Sequence, residues 1–391
     1  MPQARFLKGL EPVPPVLGLA VSGGGDSVAL LVLAVEAGIA CRAVTVDHGL
    51  RAEAAQEARD VAQLCARLGV PHSTLHWQWD GQGNLSDAAR RARRRLIAAW
   101  AVENGIDIVA LGHTRDDVAE TFLMRLARGA GLDGLAAMSG DWVERGIRWT
   151  RPLLSVGREE LRDLLRARQI PWADDPTNED PAYDRVRARA ALPDLPLGLT
   201  AGRLADVAGH LAEARRALQA ATDLAARHHL SVQAGDVLID PEGLDPEMAR
   251  RLVLRAIAWR GGNPYPPRAA SVARALSALA EGQRAAVQGC GMVAQGGRWR
   301  IFRDWAAVRD LKVPVTGIWD GWQLDGPRRE GLHLAALGAE GLAACPGWRS
   351  LGVPRPSLLS TPAVWEGPRL VAAPLAGLSV GWTAHRVPLS H

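Results

Sequence analysis

Short apolar runs alternate with longer and mostly more polar segments over residues 16–150. Strands are predicted from the short runs, at 16–21, 39–46, 70–79 and 106–111. Helices are predicted at 28–35, 52–68 and 86–104, with a further one beginning near residue 115. A regular alternation of strand and helix favours a doubly wound parallel sheet, so we expect a Rossmann-like α/β fold in this region.

The pattern changes after a proline- and glycine-rich stretch at 193–202, which predicts a domain boundary. Helices are predicted beyond it at 204–229, 245–260 and 267–281. A β-hairpin is predicted from strands at 284–295 and 298–305, with Gly296 and Gly297 at the turn. We therefore expect an α/β domain with a bridging segment at 1–200, a smaller α+β domain at 201–310 and a β-rich domain at 311–391.

A six-residue loop separates the first predicted strand from the first predicted helix. Its residues are Ser22, Gly23, Gly24, Gly25, Asp26 and Ser27. Glycines let backbone N–H groups turn toward a phosphate, and a helix amino terminus adds partial positive charge. Since a carboxylate repels phosphate, Asp26 indicates a bridging Mg²⁺. No lysine completes GxxxxGK[ST], and Val28 breaks GxGxxG. A tight turn without chemistry is the alternative.

Three loops follow predicted strands, at 22–27, 47–51 and 112–117. Ligands of doubly wound sheets bind beyond the carboxyl ends of the strands, so we expect these loops to share one edge. Asp47 follows the glycine loop by about 20 residues, the spacing of a ribose-binding acid in dinucleotide enzymes, which keeps an oxidoreductase open. His48 either hydrogen-bonds its own loop or contacts the nucleotide.

The segment 112–138 holds a second group of candidate residues. Thr114 is a predicted helix N-cap, with acids in the turn that follows it. Asp117 and Glu120 are spaced i, i+3 and share a helix face, where paired carboxylates could hold a cationic substrate or accept a proton. The alternative is that these acids only start the helix and face solvent.

Composition narrows the class of protein. The 391 residues include 46 basic and 42 acidic side chains, a net charge of +4 that permits a nucleic-acid partner. Five arginines at 90–95 form either a solvated helix face or a phosphate contact. Trp319 and Trp322 either belong to the core or stack on bases.

Apolar runs are too short for a membrane span, so we expect a cytoplasmic protein.

Several motifs together resemble one known family. The loop SGGGDS at 22–27 is similar to the SGGxDS loop of PP-loop ATP pyrophosphatases. With VDHGLR at 46–51, LGHTRDDVAETFLMRLARGAGLDGL at 111–135 and RPLL at 151–154, the chain resembles the tRNA(Ile)-lysidine synthetases. DPTNED at 175–180, followed by Tyr183, Arg185, Arg187 and Arg189, extends the resemblance. The family often has asparagine at the position of Val186.

The resemblance implies a fold, a reaction and roles for the candidate residues. The fold is that of the adenine nucleotide alpha-hydrolases, and the reaction joins free L-lysine to the first anticodon cytidine of a tRNA(Ile) with a CAU anticodon, using ATP and Mg²⁺. The loop 22–27, Asp47 and His48 would bind ATP, and Asp26 would also hold the metal. Asp117 and Glu120 would bind lysine, and either His113 or one of these acids would take the proton from its amine. The region after residue 200 would help to hold the tRNA.

The sequence leaves two other functions open. PP-loop tRNA thiolation enzymes share a similar 112–121 segment, but they typically carry CxxC cysteines, and Cys41, Cys65, Cys290 and Cys345 have no such spacing. A catalytically silent protein that binds ATP and tRNA is the second alternative. The oligomeric state is left open, with a homodimer as one option.

Overall fold

The computed structural model describes residues 1–49, 54–79, 81, 85–173, 184–263 and 265–387. The chain divides into two compact units, Met1–Arg216 and Ala217–His391. The three-domain division at residues 200 and 310 stays a prediction. No helix in the described ranges is long and apolar enough to cross a membrane.

The first unit contains six strands and eight complete helices within the described residues. The strands are β1 (Leu17–Ala20), β2 (Cys41–Asp47), β3 (His72–His76), β4 (Ile108–Leu111), β5 (Asp141–Glu144) and β6 (Ile147–Thr150). The helices are α1 (Pro2–Gly9), α2 (Gly25–Glu36), α3 (Ala54–Arg67), α4 (Leu85–Glu103), α5 (Arg115–Leu126), α6 (Leu132–Leu135), α7 (Arg158–Ala167) and α8 (Asp184–Ala191). A long helix, α9 (Ala201–His229), begins in this unit and ends in the second.

The six strands form one sheet in the order β3-β2-β1-β4-β6-β5. All neighbours are parallel except β5, which pairs antiparallel with β6. The predicted parallel α/β sheet is confirmed, whereas the β5–β6 hairpin at its edge was not predicted. Leu17 and Leu19 of β1 are completely buried, and most residues of α2 are buried as well. Because this central strand and the middle of this helix are buried, their sequences are continuous apolar runs.

The second unit contains three sheets within the described residues. The first has the order β7-β8-β11-β10-β9, from β7 (Leu230–Gln233), β8 (Asp236–Ile239), β9 (Ala285–Val287), β10 (Cys290–Gln295) and β11 (Arg298–Arg303). The strands of the other two sheets are β12 (Lys312–Pro314), β13 (Trp322–Asp325), β14 (Leu332–Ala336), β15 (Pro362–Glu366), β16 (Arg369–Ala372) and β17 (Thr383–Arg386). The second sheet has the order β12-β14-β15-β16, and the third consists of β13 paired with β17. The helices are α10 (Pro246–Gly261), α11 (Ala269–Ala280), α12 (Gly338–Ala343) and α13 (Arg355–Leu359).

The predicted hairpin near residue 296 is confirmed, but its first strand was predicted too long. Gly296 and Gly297 have φ of 57° and 76° and join β10 to β11, as expected for a two-residue turn. Gln288 and Gly289, with φ of 48° and 72°, make an equivalent turn between β9 and β10. The second turn divides the predicted strand because Gln288 adopts a left-handed conformation that is uncommon for glutamine. Trp319 and Trp322 are buried in the core of this unit.

Candidate active site

The carboxyl ends of β1, β2, β4 and β6 lie along one edge of the first sheet because these strands run parallel. The segments that leave these ends are 22–24, 48–49, 112–114 and Arg151. The structure therefore brings the described parts of the three predicted loops to a common edge. Arg151 joins them from β6, a strand that the sequence pattern did not indicate.

The loop between β1 and α2 is closed by its two serines. The Ser27 hydroxyl accepts a hydrogen bond from the Ser22 backbone N–H at 3.1 Å and donates one to the Gly24 carbonyl at 2.8 Å. Gly23 has a φ of +93°, which residues with a side chain rarely adopt. The first N–H groups of a helix have no partner within it, so the start of α2 can bind an anion.

Gly112 brings the end of β4 against the start of α2. A Cβ atom at this position would lie 3.0 Å from the Asp26 carbonyl oxygen and 3.0 Å from the Ser27 backbone nitrogen. Only a residue without a side chain fits there while those backbone atoms stay in place. His113 is the next residue in the chain and follows this close contact at the carboxyl end of β4.

Replacing Gly112 with alanine should weaken the binding of ATP with Mg²⁺ by about tenfold, because overpacking of this kind costs about 1–3 kcal/mol and would move the loop. Isothermal titration calorimetry measures the effect. Gly140→Ala is the matched control, since a Cβ atom at Gly140 meets nothing within 4 Å. Equal affinities in the two variants would contradict the positioning role of Gly112.

Thr114 and Asp117 form the predicted start of α5. The Asp117 Oδ2 atom accepts hydrogen bonds from the Thr114 backbone N–H at 2.7 Å and from its hydroxyl at 3.0 Å. Asp116, one residue earlier, accepts from the Arg158 backbone N–H at 2.7 Å and so joins α5 to α7. The Oδ2 atom of Asp117 thus caps the start of α5, and the Oδ1 atom is left to contact other side chains of the candidate active site.

Three carboxylates and three guanidinium groups meet at the amino-terminal half of α5. We call them the carboxylate–arginine cluster, which consists of Asp26, Asp117, Glu120, Arg158, Arg185 and Arg189. The Arg158 guanidinium lies 3.2 Å from Asp26, 3.1 Å from Asp117 and 2.8 Å from Glu120. A single side chain therefore connects the glycine loop to both acids of α5.

Arginines of α8 complete the contacts of the two acids. Arg185 lies 2.9 Å from the Glu120 Oε2 atom and 3.0 Å from the Asp117 Oδ1 atom, and Arg189 lies 2.9 Å from the Glu120 Oε1 atom. The Glu120 side chain is completely buried. Both of its oxygens already have cationic partners, so a bound ammonium group must replace or share one of them.

Burial and ion pairing act in opposite directions on these acids. Burial raises the pKa of Asp26 to about 6, although Arg158 lowers it in part. Burial also acts to raise the pKa of Glu120, but the hydrogen bonds and charges of Arg189 and Arg158 outweigh it and hold the pKa below its ordinary value. The pKa of Asp117 is lowered as well, since Arg185 and Arg158 outweigh burial. Asp117 and Glu120 are therefore ionised at neutral pH.

Asp47 and His48 lie at the end of β2, next to β1 in the sheet. The Asp47 Oδ1 atom accepts from the Gly49 backbone N–H at 2.9 Å, so this carboxylate shapes its own turn. The His48 ring packs edge-on against Trp77 at 5.7 Å. Its Nδ1 atom is buried without a hydrogen-bond partner among the described residues, and burial lowers its pKa. An unpartnered buried nitrogen here fits a contact with a nucleotide.

The donor set fits a magnesium ion that is shared with a nucleotide. Asp26 supplies a carboxylate beside the glycine loop, and Mg²⁺ is commonly held by one or two carboxylates together with substrate phosphates. Within the described ranges, no group of three or more His, Cys, Asp or Glu side chains is arranged to hold a metal by itself. Phosphate oxygens would therefore supply most of the ligands.

The sequence interpretation missed the central arginine. Arg158 carries no motif signal of its own, although it follows RPLL closely. Arg185 and Arg189 were noted only within an arginine-rich motif. Leu50, Arg51, the DPTNED motif at 175–180 and Tyr183 lie outside the described residues.

The four cysteines are free thiols. Cys41 begins β2 at its amino end, and Cys65, Cys290 and Cys345 are buried free thiols. Burial raises the pKa of Cys65 to about 11, which makes its thiol a poor nucleophile at neutral pH. Among the described residues of the first unit, no segment that follows a strand at the carboxyl edge contains a cysteine.

Comparisons with known proteins agree with the motifs. The PP-loop domain family matches residues 4–195. The tRNA(Ile)-lysidine synthase of Ruegeria pomeroyi is 52% identical over 381 residues, which cover 95% of this chain and 91% of that protein. The tRNA(Ile)-lysidine synthase of Zymomonas mobilis is 38% identical over 315 residues, which cover 78% of this chain and 94% of that protein.

Similarity to solved structures is more distant. The U34-tRNA thiolase NcsA from Methanococcus maripaludis aligns with a TM-score of 0.47 and 18% identity. The alignment covers 54% of this chain and 77% of that chain.

Proposed function

The chain belongs to the tRNA(Ile)-lysidine synthase family, and we propose that it ligates free L-lysine to the 2-position of the first anticodon cytidine of a tRNA(Ile) with a CAU anticodon. The observation that carries this proposal is the set of contacts made by Arg158. Its guanidinium lies within 3.2 Å of Asp26 in the glycine loop and 2.8 Å of Glu120 on α5. These contacts support a phosphate site at the glycine loop that would lie next to an ammonium site on α5.

The first half of the reaction forms an adenylate. The cytidine 2-oxygen attacks the α-phosphorus of ATP, the bond to the β-phosphate breaks, and pyrophosphate leaves. Backbone N–H groups of 23–25 and the serines Ser22 and Ser27 would bind the phosphates. Asp26 would hold Mg²⁺, which neutralises charge on the leaving pyrophosphate when it is bound.

The second half transfers lysine. The ε-nitrogen of lysine attacks the activated ring carbon, a proton leaves the nitrogen, and AMP departs with the former cytidine oxygen. Asp117 and Glu120 would attract the ammonium group before it loses its proton. Since both acids are paired with Arg185, lysine would enter by displacing contacts of α8. No covalent bond to the enzyme is needed in either step.

The direct test is transfer of labelled lysine to bulk bacterial tRNA in the presence of ATP and Mg²⁺. We expect acid-stable label that remains on a cytidine-derived nucleoside after nuclease digestion. Release of AMP that depends on tRNA, without transfer of lysine, would contradict lysine as the nucleophile. Absence of AMP release would contradict the adenylation chemistry and favour the silent binding protein.

Replacing Glu120 with glutamine should raise the KM for lysine about 10- to 100-fold, the loss expected for a charge-assisted hydrogen bond. The amide keeps the shape of the side chain and removes its charge. Exchange of labelled pyrophosphate into ATP, measured with tRNA and without lysine, should continue and reports correct folding. Glu159→Gln is the control because Glu159 is an exposed acid on α7. An unchanged KM for lysine would disprove this role of Glu120.

A further inference from the structure

His113 and Arg151 meet across two neighbouring strands. His113 follows β4 and Arg151 follows β6, and these strands pair with Ala110 opposite Thr150. The Arg151 Nε–H group donates a hydrogen bond to the His113 Nδ1 atom at 3.2 Å. Guanidinium nitrogens carry no lone pair for accepting hydrogen bonds, so the direction of this bond is fixed.

The Arg151 guanidinium is held from two further sides. It lies 4.2 Å from the centre of the Trp142 ring, in the geometry of a cation–π contact. Trp142 in turn stacks on the buried Trp149 with ring centres 5.9 Å apart. A second guanidinium nitrogen donates to the Ser139 carbonyl at 2.6 Å. These contacts leave the Nε–H group pointed at the histidine.

The contact decides which ring nitrogen carries the proton. A neutral imidazole has one protonated and one unprotonated nitrogen, and Nδ1 is the acceptor here. Nε2 must then carry the hydrogen. Burial lowers the pKa of His113 to about 4, and the positive charges of Arg151, Arg185 and Arg93 act in the same direction, whereas Asp117 opposes them. The ring is therefore neutral at pH 7.

We propose that Arg151 is a positioning residue that fixes His113 as the Nε2-protonated tautomer, so that His113 donates a hydrogen bond to an α-phosphate oxygen during adenylation. This inference rests on the proposed function. Gly112, the residue before His113, lies against the backbone of Asp26 and Ser27, so the chain leads into His113 directly from the edge of the glycine loop. A histidine with a protonated Nε2 and an occupied Nδ1 has no free site for the lysine proton. Asp117 and Glu120 then remain as the candidates for that role.

The tautomer is read directly by nitrogen NMR of the full chain labelled with ¹⁵N-histidine. The chain has ten histidines, and the signals of His113 are identified as those that disappear from the spectrum of His113→Gln. We expect a protonated Nε2 and an unprotonated Nδ1 at His113 in the wild type, and loss of this fixed state in Arg151→Met. A protonated Nδ1 would overturn the proposal. This measurement needs no substrate, so it separates failure of the proposal from failure of the proposed function.

Activity gives a second readout through matched amides. The glutamine amide nitrogen reaches the place of Nε2, whereas the asparagine amide nitrogen lies near that of Nδ1. His113→Gln should keep pyrophosphate release within about fivefold, and His113→Asn should lose about 10²–10³-fold, the effect of removing one donor to a developing oxyanion. Equal losses in both variants, or no loss in either, would overturn the proposal.

Discussion

Replacing Asp26 with asparagine should reduce tRNA-dependent release of pyrophosphate by about a thousandfold, the scale of losing a main electrostatic stabiliser of the transition state. The side chain combines two properties that no other described residue of the glycine loop has. It carries a carboxylate beside the start of α2, and it lies 3.2 Å from Arg158. Asparagine keeps its size and removes the charge that would hold Mg²⁺ against the phosphates.

The control for this variant is Asp163→Asn, which removes an exposed carboxylate from α7. Pyrophosphate release is measured with saturating tRNA and without lysine, so that only adenylation is followed. An Asp26→Asn enzyme that keeps more than about a tenth of the wild-type rate would contradict the role of Asp26, because a missing metal ligand cannot have so small an effect.

Replacing Arg158 with methionine should lower the free energy of unfolding of the first unit by about 3 kcal/mol, the scale measured when one partner of a buried ion pair is removed. Methionine preserves much of the side-chain volume, but three carboxylates lose a shared cation. Glu120 is the most affected because its side chain is completely buried. Its two remaining partners, Arg185 and Arg189, are about one-third exposed. Solvent therefore screens their ion pairs with Glu120 and makes these pairs weaker.

The destabilisation should depend on pH in a defined direction. The pKa of folded Glu120 lies below its ordinary value of 4.5, so its ion pairs stabilise the fold above that pH and lose their effect as pH falls through the lower folded value. The difference between wild type and Arg158→Met should therefore be largest near neutral pH and shrink below pH 4.5. Amide hydrogen exchange of residues 1–216, measured in urea, gives the free energy of unfolding of this unit separately from that of the second unit.

Arg166→Met is the matched control for Arg158→Met. Arg166 lies on the same helix and pairs with two exposed acids, Glu159 and Asp163. Its removal should change stability little, because exposed ion pairs contribute little. A loss at Arg158 that is no larger than the loss at Arg166, or that does not vary with pH, would contradict a buried ionic centre.

Local patterns predicted the parallel sheet and the glycine loop because their signals lie within a few neighbouring residues. The apolar run of β1 and the six residues after it are contiguous, and their place at the carboxyl edge follows from general rules of α/β folds. Asp117 and Glu120 were found because helical spacing puts them on one face. For these features the sequence neighbours are also the spatial neighbours.

The contacts of Arg158 and Arg151 depend on tertiary structure and left no local signal. Arg158 on α7 donates a hydrogen bond to Asp26 at the start of α2, and the two residues are far apart in the sequence. Arg151 meets His113 only because β6 pairs with β4, and the β5–β6 hairpin was not predicted. His113 was accordingly considered as a base, since a sequence cannot reveal which ring nitrogen has a partner.

The measurement that tests the central claim most directly follows one oxygen atom. A tRNA(Ile) carrying ¹⁸O at the 2-position of its first anticodon cytidine is incubated with the enzyme, ATP, Mg²⁺ and lysine, and the released AMP is analysed by mass spectrometry. If the cytidine oxygen attacks the α-phosphorus and lysine then displaces AMP, the label must appear in the phosphate of AMP. Label that stays on the tRNA, or that is found in pyrophosphate or water, would contradict the adenylated cytidine.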